Sequence, residues 1–564
     1  MKKKVIYSTI LAGLLLWGCS EDFTEKAATG ALSDEALQNA LGVDLKLTAA
    51  YSAMDGERIN RQGEGVAAGG DNWWSDVVSD DAHRGSTDGD NTALFQVETL
   101  DWQTGNNWFL GRWSAIFGGV NRCNAVLDLI SQIPDGDFTQ QAGEALFLRA
   151  YYNFELQKFY GNVPFLSVEN LVNQEFNQPN PGPIWAQIEA DLTEAIGMLG
   201  SDVVVGRANS WVAKAYLGKA LLYQGKYAAA LTQLNDVINN GPYSLNAEFV
   251  DNFNFAGENG PESLFAIQFS ADTGRSFNGN GAGTLNYPGG GPLGTCCGFY
   301  QPTQDLVNAY QTSGGLPLLD TYADTDVASD YGINSADPFT PHAGPLDPRL
   351  DYTVSRRGID YNGFGLNPGK EWIRATFQDI SGPYLPKKNV YQADEVDANR
   401  GTGGWGSDWS GINYNILRYA DVLLMAAEAA VETNDLGTAL NYVNQVRNRA
   451  KNMTYVQTVD GTGDAANYEI EPYGSFANQT EARKAVRFER RLELGMEGHR
   501  LFDLRRWGIA METINTYIQN EGEDLYLSGY DSKFSTYQAK HDLYPIPVNA
   551  IDQSGGVLTQ NPGY

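Results

Sequence analysis

The chain has 564 residues, 42% hydrophobic, 12% aromatic and 19% charged, with 39 Lys and Arg against 69 Asp and Glu for a formal net charge of −30. Length and apolar content exclude an intrinsically disordered protein and suffice for a large buried core, ordinarily spread over two or more domains. The acidity excludes nucleic acid and anionic lipid headgroups as partners, because both need positive potential and no basic patch exists beyond the first four residues.

The N-terminus runs from Lys2-Lys3-Lys4 through an apolar stretch, Val5 to Trp17, to Gly18-Cys19. This is the layout of a cleaved secretory signal. The run is too short to span a membrane, which takes roughly 20 apolar residues. Leu16-Trp17-Gly18-Cys19 resembles a bacterial lipobox, which implies a lipid anchor on Cys19 and a mature chain at −33 once three lysines are removed. Ser20-Glu21-Asp22 resembles the surface-export signal of lipoproteins in the Bacteroidetes. Of the other cysteines, Cys123 either pairs with Cys296 or Cys297 or all three are free; their spacing fits neither a disulfide framework nor a zinc site.

Apolar periodicity predicts helices over Arg112–Ile130 and Ala142–Tyr160. The second ends near Gly161, where Val163-Pro164-Phe165 turns extended. Helices follow over Pro183–Leu199 and Ser210–Asn239. Within the latter, Leu217-Gly218, Leu221, Gly225, Tyr227, Ala230, Leu234 and Val237 match the spacing of a tetratricopeptide helix pair. A shift of 209 residues lands on Ala426-Ala427, Ala430, Asn434, Leu436, Ala439, Val443 and Val446, again small or apolar where two helices must meet.

From about 250 to 410 the chain is rich in Gly, Asn, Asp and Pro, with a strand candidate at Leu264–Phe269, and reads as long structured loops. Helical character returns over Ile416–Ala450 and Glu481–Trp507, and the chain closes through Tyr544-Pro545-Ile546-Pro547. The Glu497-Gly498-His499-Arg500 to Asp503 cluster looks catalytic but reads as scaffold, with Glu497–Arg500 and Arg500–Asp503 ion pairs expected three residues apart. The four histidines have no second ligand at metal-binding spacing, and no GxSxG elbow or phosphate loop is present. Acid-rich loops at Asp76–Asp90 and Asp320–Asp326 suit calcium chemically but lack EF-hand spacing and read as solvated; no cofactor or metal is expected.

Five blocks then fall in one order: Glu144-Ala145-Leu146-Phe147-Leu148-Arg149-Ala150-Tyr151 running to Tyr160-Gly161-Asn162-Val163-Pro164; Arg418 to Ala429 with Asn444 to Ala450; Arg487 to Leu494 with Glu497 to Trp507; Tyr544 to Pro547; and Gln560-Asn561-Pro562-Gly563-Tyr564. Together they resemble the SusD/RagB family of outer-membrane, glycan-capturing lipoproteins. The resemblance implies a mainly α fold, with tetratricopeptide-like helix pairs as scaffold and long irregular loops as the ligand-binding face. It implies a non-enzymatic role at the cell surface, holding oligosaccharide over a SusC-like TonB-dependent transporter, with the protein lipid-anchored in the outer membrane and facing the exterior. The implied division is a signal peptide at 1–18, a lipidated tether at 19–30, a helical region at 31–250, a loop-rich insertion at 251–410 and a C-terminal helical region at 411–564.

A sugar ring has an apolar face and a hydroxyl equator, so indole planes with carboxylates or guanidiniums beside them suit it. Trp73-Trp74, Trp102, Trp108, Trp372, Trp405 and Trp409 lie outside the confident helices, and each suits equally the anchoring of its loop to the core. Mapped by position, the resemblance points to Trp73, Trp74, Asp80, Asp81 and Trp102, and then to Cys297, Tyr300, Arg357, Trp372 and Tyr384. The charge favours neutral glycans. A secreted glycosidase, which needs only two carboxylates about 5 to 10 Å apart, and a helical-repeat protein adaptor stand as the other readings.

Overall fold

The computed structural model describes residues 35–55, 72–86, 90–270, 279–280, 286, 288–294, 298–373, 382–399, 410–524 and 534–564. The fold is mainly helical. Its principal helices are α1 (Ala40–Ser52), α2 (Asn107–Ser131), α3 (Thr139–Tyr160), α4 (Val168–Val172), α5 (Trp185–Met198), α6 (Ser210–Tyr223) and α7 (Tyr227–Asn240). After the loop-rich stretch come α8 (Tyr419–Glu432), α9 (Leu436–Asn452), α10 (Gln479–Leu494), α11 (Arg500–Arg506), α12 (Ala510–Asp524) and α13 (Val548–Gln553).

Local chemistry sets the boundaries. The side chains of Asn106, Asn209, Asp435 and Asn478 accept backbone N–H bonds at the starts of α2, α6, α9 and α10, satisfying donors that a helix N-terminus leaves unpaired. The two helix pairs turn in the same way. Gly225 and Asn434, 209 residues apart, both take left-handed backbone at φ +69° and +61°, the conformation that glycine and asparagine tolerate best. Behind them, Lys226 N–H bonds Leu221 O at 3.0 Å and Asp435 N–H bonds the matching Ala430 O at 2.8 Å. The repeat is therefore structural as well as sequential, and α7 packs directly on α8, joining the pairs into one array. Tyr442 of α9 donates to Asn235 of α7 at 2.8 Å across the joint.

Helices α2, α3, α5, α6, α7 and α8 stack each on the next. Between Gly143 and Gln157, α3 is buried on every side, which is why its apolar residues form no single stripe. Arg149 of α3 grips Asp191 of α5 through two bonds of 2.8 and 2.6 Å.

Sequence and structure differ in three respects. The expected helix over Glu481–Trp507 is two helices, α10 and α11, with Met496 and Gly498 in left-handed backbone between them. The Ile416–Ala450 segment opens as a strand before α8. Helices α1, α4, α12 and α13 occupy stretches for which the sequence reading assigns none.

Four two-stranded antiparallel ribbons complete the described fold. In one, Ala82–Gly85 pairs with Phe299–Pro302. In another, Ser263–Ile267, close to the strand the sequence suggests, pairs with Tyr414–Arg418. That ribbon fastens the two ends of the loop-rich stretch to each other, and Tyr310 and Arg349 tie its middle to α10. A second, smaller hydrophobic core formed by Leu293, Tyr361, Ile373, Leu385, Val390, Tyr391, Val396 and Ile412 supports them.

Candidate functional site

The aromatic residues named from sequence are placed mostly inside. Trp74 is 1% exposed, and its ring meets Trp108, Phe109, Phe159 and Tyr544 at centroid distances of 5.6 to 6.1 Å. Trp73 packs against Phe299 and Tyr300. Trp102, 3% exposed, lies 4.7 Å from both His541 and Tyr544 and donates its indole N–H to Val97 O at 2.9 Å. Buried indoles have no face left for a sugar. These three tryptophans anchor the N-terminal loop to the core.

The acids beside them are likewise internal. Arg500 donates to both oxygens of Asp80 at 2.8 and 2.7 Å. Arg491 reaches Asp80 at 3.1 Å, Asp81 at 2.9 Å and Asp305 at 2.7 Å. Burial by itself would raise the Asp80 carboxyl; the Arg491 and Arg500 guanidiniums override it and hold the group well below the usual carboxylate range. Asp76, which faces Asp81 and Glu497 instead, is driven the other way by burial and those charges. It accepts Tyr300 Oη–H at 2.6 Å and Gly498 N–H at 2.8 Å. The acids at 76, 80 and 81 are thus core hinges between an N-terminal loop and α10–α11, correcting the expectation of a solvated loop. Tyr300 is consumed by Asp76, and buried Tyr384 donates to Gln304 at 2.7 Å. Neither is presented to a ligand.

The cluster at Glu497–Asp503 is scaffold, but with different partners from those expected. Glu497 receives Arg418 at 2.7 and 2.9 Å and Lys388 at 2.7 Å, Arg500 takes Asp80, and Asp503 takes Arg490 and Arg506. Burial pushes His499 down to about 4, leaving it neutral. Arg418 also binds Glu262 and Glu493. Arg349, Arg447 and Arg449 extend this network through Asp347, Glu489, Glu493 and Glu262.

Two named residues keep part of their surface. Arg357 donates to the carbonyls of Asn334, Ser335 and Asp337 at 3.3, 2.8 and 2.7 Å. Its fork clamps a loop and is not free to bridge two sugar hydroxyls, as the sequence suggested. Trp372 is half-buried. One indole face is closed by Gly291, where φ is +74° and an added Cβ would sit 2.7 Å from the ring, and Tyr361 meets it edge-on at 5.9 Å. Gly290 N–H bonds Trp372 O at 3.0 Å. The ring is thereby fixed on the small second core at the loop face. Cys297, Cys296, Cys19, Trp405 and Trp409 lie outside the described residues. Cys123 is free and buried, its thiol pushed up by burial.

Sequence reasoning missed Tyr51, Arg207 and Gln268. With Asp55 they line a cleft of about 350 Å3 between the end of α1 and the end of the Ser263–Ile267 strand. Arg207 stacks 5.1 Å from the Tyr51 ring and pairs with Glu144 at 2.7 Å. No sequence signal joins these segments, because α1 was not itself legible.

Residues 261–564 match the family model described as SusD family. The chain belongs to the SusD family. Residues 46–222 match a second model, described as starch-binding associating with outer membrane. SusD-like protein P25 of Formosa agariphila is 27% identical over 476 residues, covering 80% of this chain and 79% of that protein. Starch-binding protein SusD of Bacteroides thetaiotaomicron is 22% identical over 497 residues, covering 84% and 82%. Among solved structures, a SusD-like carbohydrate binding protein from Bacteroides fragilis aligns with a TM-score of 0.69 at 22% identity, over 93% of this chain and 99% of that one. Surface glycan-binding protein A from Bacteroides thetaiotaomicron, in complex with laminarihexaose, aligns at 0.64 and 21% over the same shares. These likenesses establish the SusD fold. Both charged networks bridge the two matched stretches or sit in the second, with Asp80 in one and Arg491 and Arg500 in the other.

Proposed function

We propose that this SusD-family chain is a cell-surface lipoprotein that captures neutral oligosaccharides without chemical change and delivers them to a SusC-like TonB-dependent outer-membrane transporter. Membership of the SusD family over residues 261–564 carries the reading. The relatives' names support it, since they describe starch-binding and glycan-binding proteins. Cys19 is the anchor, and the outer leaflet, facing outward, is the location. Among the described residues no helix is long and apolar enough to cross a membrane.

The loop face around Trp372 is the ligand platform in this reading, with the 251–410 insertion supplying it and the helical regions on either side acting as scaffold. Neutral ligands fit best because a mature surface near −33 repels uronates and sulfates. The carboxylates of the Glu497–Asp503 segment are held by arginines and lysine inside the core, which speaks for capture over hydrolysis.

The test is an affinity screen of the chain from Ser20 onward against neutral and anionic polysaccharides, with reducing-sugar release followed in parallel. Retention by a neutral glycan without release is the expected result. Release of reducing ends would overturn the reading, as would selective retention by anionic polymers for the neutral preference.

A further inference from the structure

Arg487, in the middle of α10, differs from every other arginine among the described residues. Each of the others gives its guanidinium to a carboxylate, a carbonyl or a hydroxyl of the chain. Arg487 makes no hydrogen bond or ion pair within the described residues. Its guanidinium lies instead 4.8 Å from the ring centre of Trp507. Acids are not scarce in this chain, with 69 Asp and Glu against 39 Lys and Arg, so the isolation of Arg487 comes from what surrounds it.

The two carboxylates near it, Glu428 and Glu432, are already taken. Arg506 donates to both oxygens of Glu428, the second at 2.7 Å, and the Trp507 indole N–H adds a bond to the same carboxylate at 3.0 Å. Arg483, one turn before Arg487, holds both oxygens of Glu432 at 2.6 and 2.7 Å. Arg506 also lies 5.0 Å from the Trp507 ring, so two guanidiniums share one indole and the chain neutralises one of them. The other charge is not simply left in water. Arg487 is half-buried, and its Nε is sealed off with no acceptor. Burial pulls the group below the ordinary arginine value, Glu428 works against that and Arg506 adds to it. A cation held partly out of water without a partner is costly. Its two Nη groups are not enclosed, so the outer edge of the fork stays open while the inner nitrogen is closed.

The parallel N–H groups of an open guanidinium edge match a planar carboxylate. One positive charge here is uncompensated, and Glu428 and Glu432 lie beside it, so a doubly charged phosphate or sulfate meets two carboxylates for one free cation. A neutral sugar leaves the charge unpaired. We infer that Arg487, braced on Trp507 where α8, α10 and α11 meet, is a recognition site for a single carboxylate group, supplied by a free organic acid or by an acidic side chain of a docked protein. The inference goes beyond the capture reading and does not rest on it, since none of these residues belongs to the 251–410 stretch. Nor does it conflict with a preference for neutral glycans: a strongly acidic surface repels a polyanion along its whole length, whereas one carboxylate meets one fork.

The experiment uses the chain from Ser20 onward carrying 5-fluorotryptophan and follows the Trp507 resonance by 19F NMR, assigned through Trp507→Phe. The probes are sodium acetate, as the free acid, and N-acetylglutamate N-methylamide, as the side-chain mimic, with sodium chloride and sodium sulfate at matched ionic strength as controls. The expected result is a saturable shift with acetate or the mimic and none with chloride or sulfate. Arg487→Gln weakens that titration by about tenfold, and Arg487→Lys, which keeps the charge but not the fork, weakens it less. A mimic that binds more tightly than acetate assigns the site to a docked protein, and one that binds equally or less tightly assigns it to free acids; both outcomes support the carboxylate site. Thermal melting gives a second readout: the carboxylate that binds raises the melting temperature of wild type and not that of Arg487→Gln, which without carboxylate melts no lower than wild type. A Trp507 resonance unmoved by both carboxylates overturns the inference, as does an equal shift with chloride or sulfate, or a titration that survives Arg487→Gln unchanged. Each of those failures leaves the capture reading standing, because retention of neutral glycans is expected to be the same in Arg487→Gln and wild type.

Discussion

Replacing Asp80 by asparagine separates a ligand role from a structural one. The carboxylate accepts two bonds from Arg500 and a third contact from Arg491, all inside the protein. Asp80→Asn keeps the shape but removes the charge, so one amide oxygen remains to face two guanidiniums. Removing one partner from a buried pair costs about 3–5 kcal/mol. Arg491 retains Asp81 and Asp305, and the Arg500 side chain, 12% exposed, keeps some contact with water, so the cost belongs near the lower end, about 3 kcal/mol. The assay is guanidinium unfolding at pH 7, read as a fall in midpoint at unchanged slope. The pH dependence carries a sign as well. Because the folded carboxyl lies below its unfolded value near about 3.9, the Asp80 contribution is complete above that value and is lost as pH falls through the folded one. The gap between wild type and Asp80→Asn therefore narrows in acid. Oligosaccharide retention per folded molecule stays unchanged. A variant as stable as wild type that no longer retains sugar would refute this reasoning and return Asp80 to the ligand site.

Three further outcomes follow from the same geometry. Trp74→Ala empties a site between four aromatic rings and lowers stability by about 3–5 kcal/mol, measured by thermal or denaturant unfolding; a loss confined to glycan affinity would contradict its burial. Trp372→Ala, by contrast, leaves the helical core intact and weakens glycan retention by about 1–2 kcal/mol, the worth of a half-exposed indole platform; unchanged affinity removes Trp372 from the ligand face. Burial raises the Glu258 carboxyl to about 7, against a bond from Asn413 N–H. A raised acid makes the folded state bind its proton more tightly, so stability falls as pH climbs from the unfolded value towards 7. Glu258→Gln is therefore expected to melt higher than wild type at pH 8 and alike at pH 4, and a pH-independent difference would count against the assignment.

The sequence by itself determined what depends on neighbours along the chain. Helices were legible in apolar periodicity, and the repeat was legible because Gly225 and Asn434, which hold the same left-handed turn, fall at matching offsets. The five ordered blocks carried the family, which the match over 261–564 bears out. Periodicity carried one helix past the local stop at Gly495 and left-handed Gly498; what the sequence could not show is that Asp76, more than 400 positions away, receives the Gly498 N–H and holds the turn between α10 and α11. The candidate site was the least legible part for the same reason. A tryptophan beside an aspartate reads alike on a sugar-binding loop and in a core; the difference lies in what comes to cover it. Tyr544, 470 residues on, donates to Trp74 O, and Arg500, 420 residues on, neutralises Asp80. Burial and charge pairing at that separation are properties of the tertiary fold, because the cost of a buried carboxylate and the availability of an indole face are both set by what packs against them.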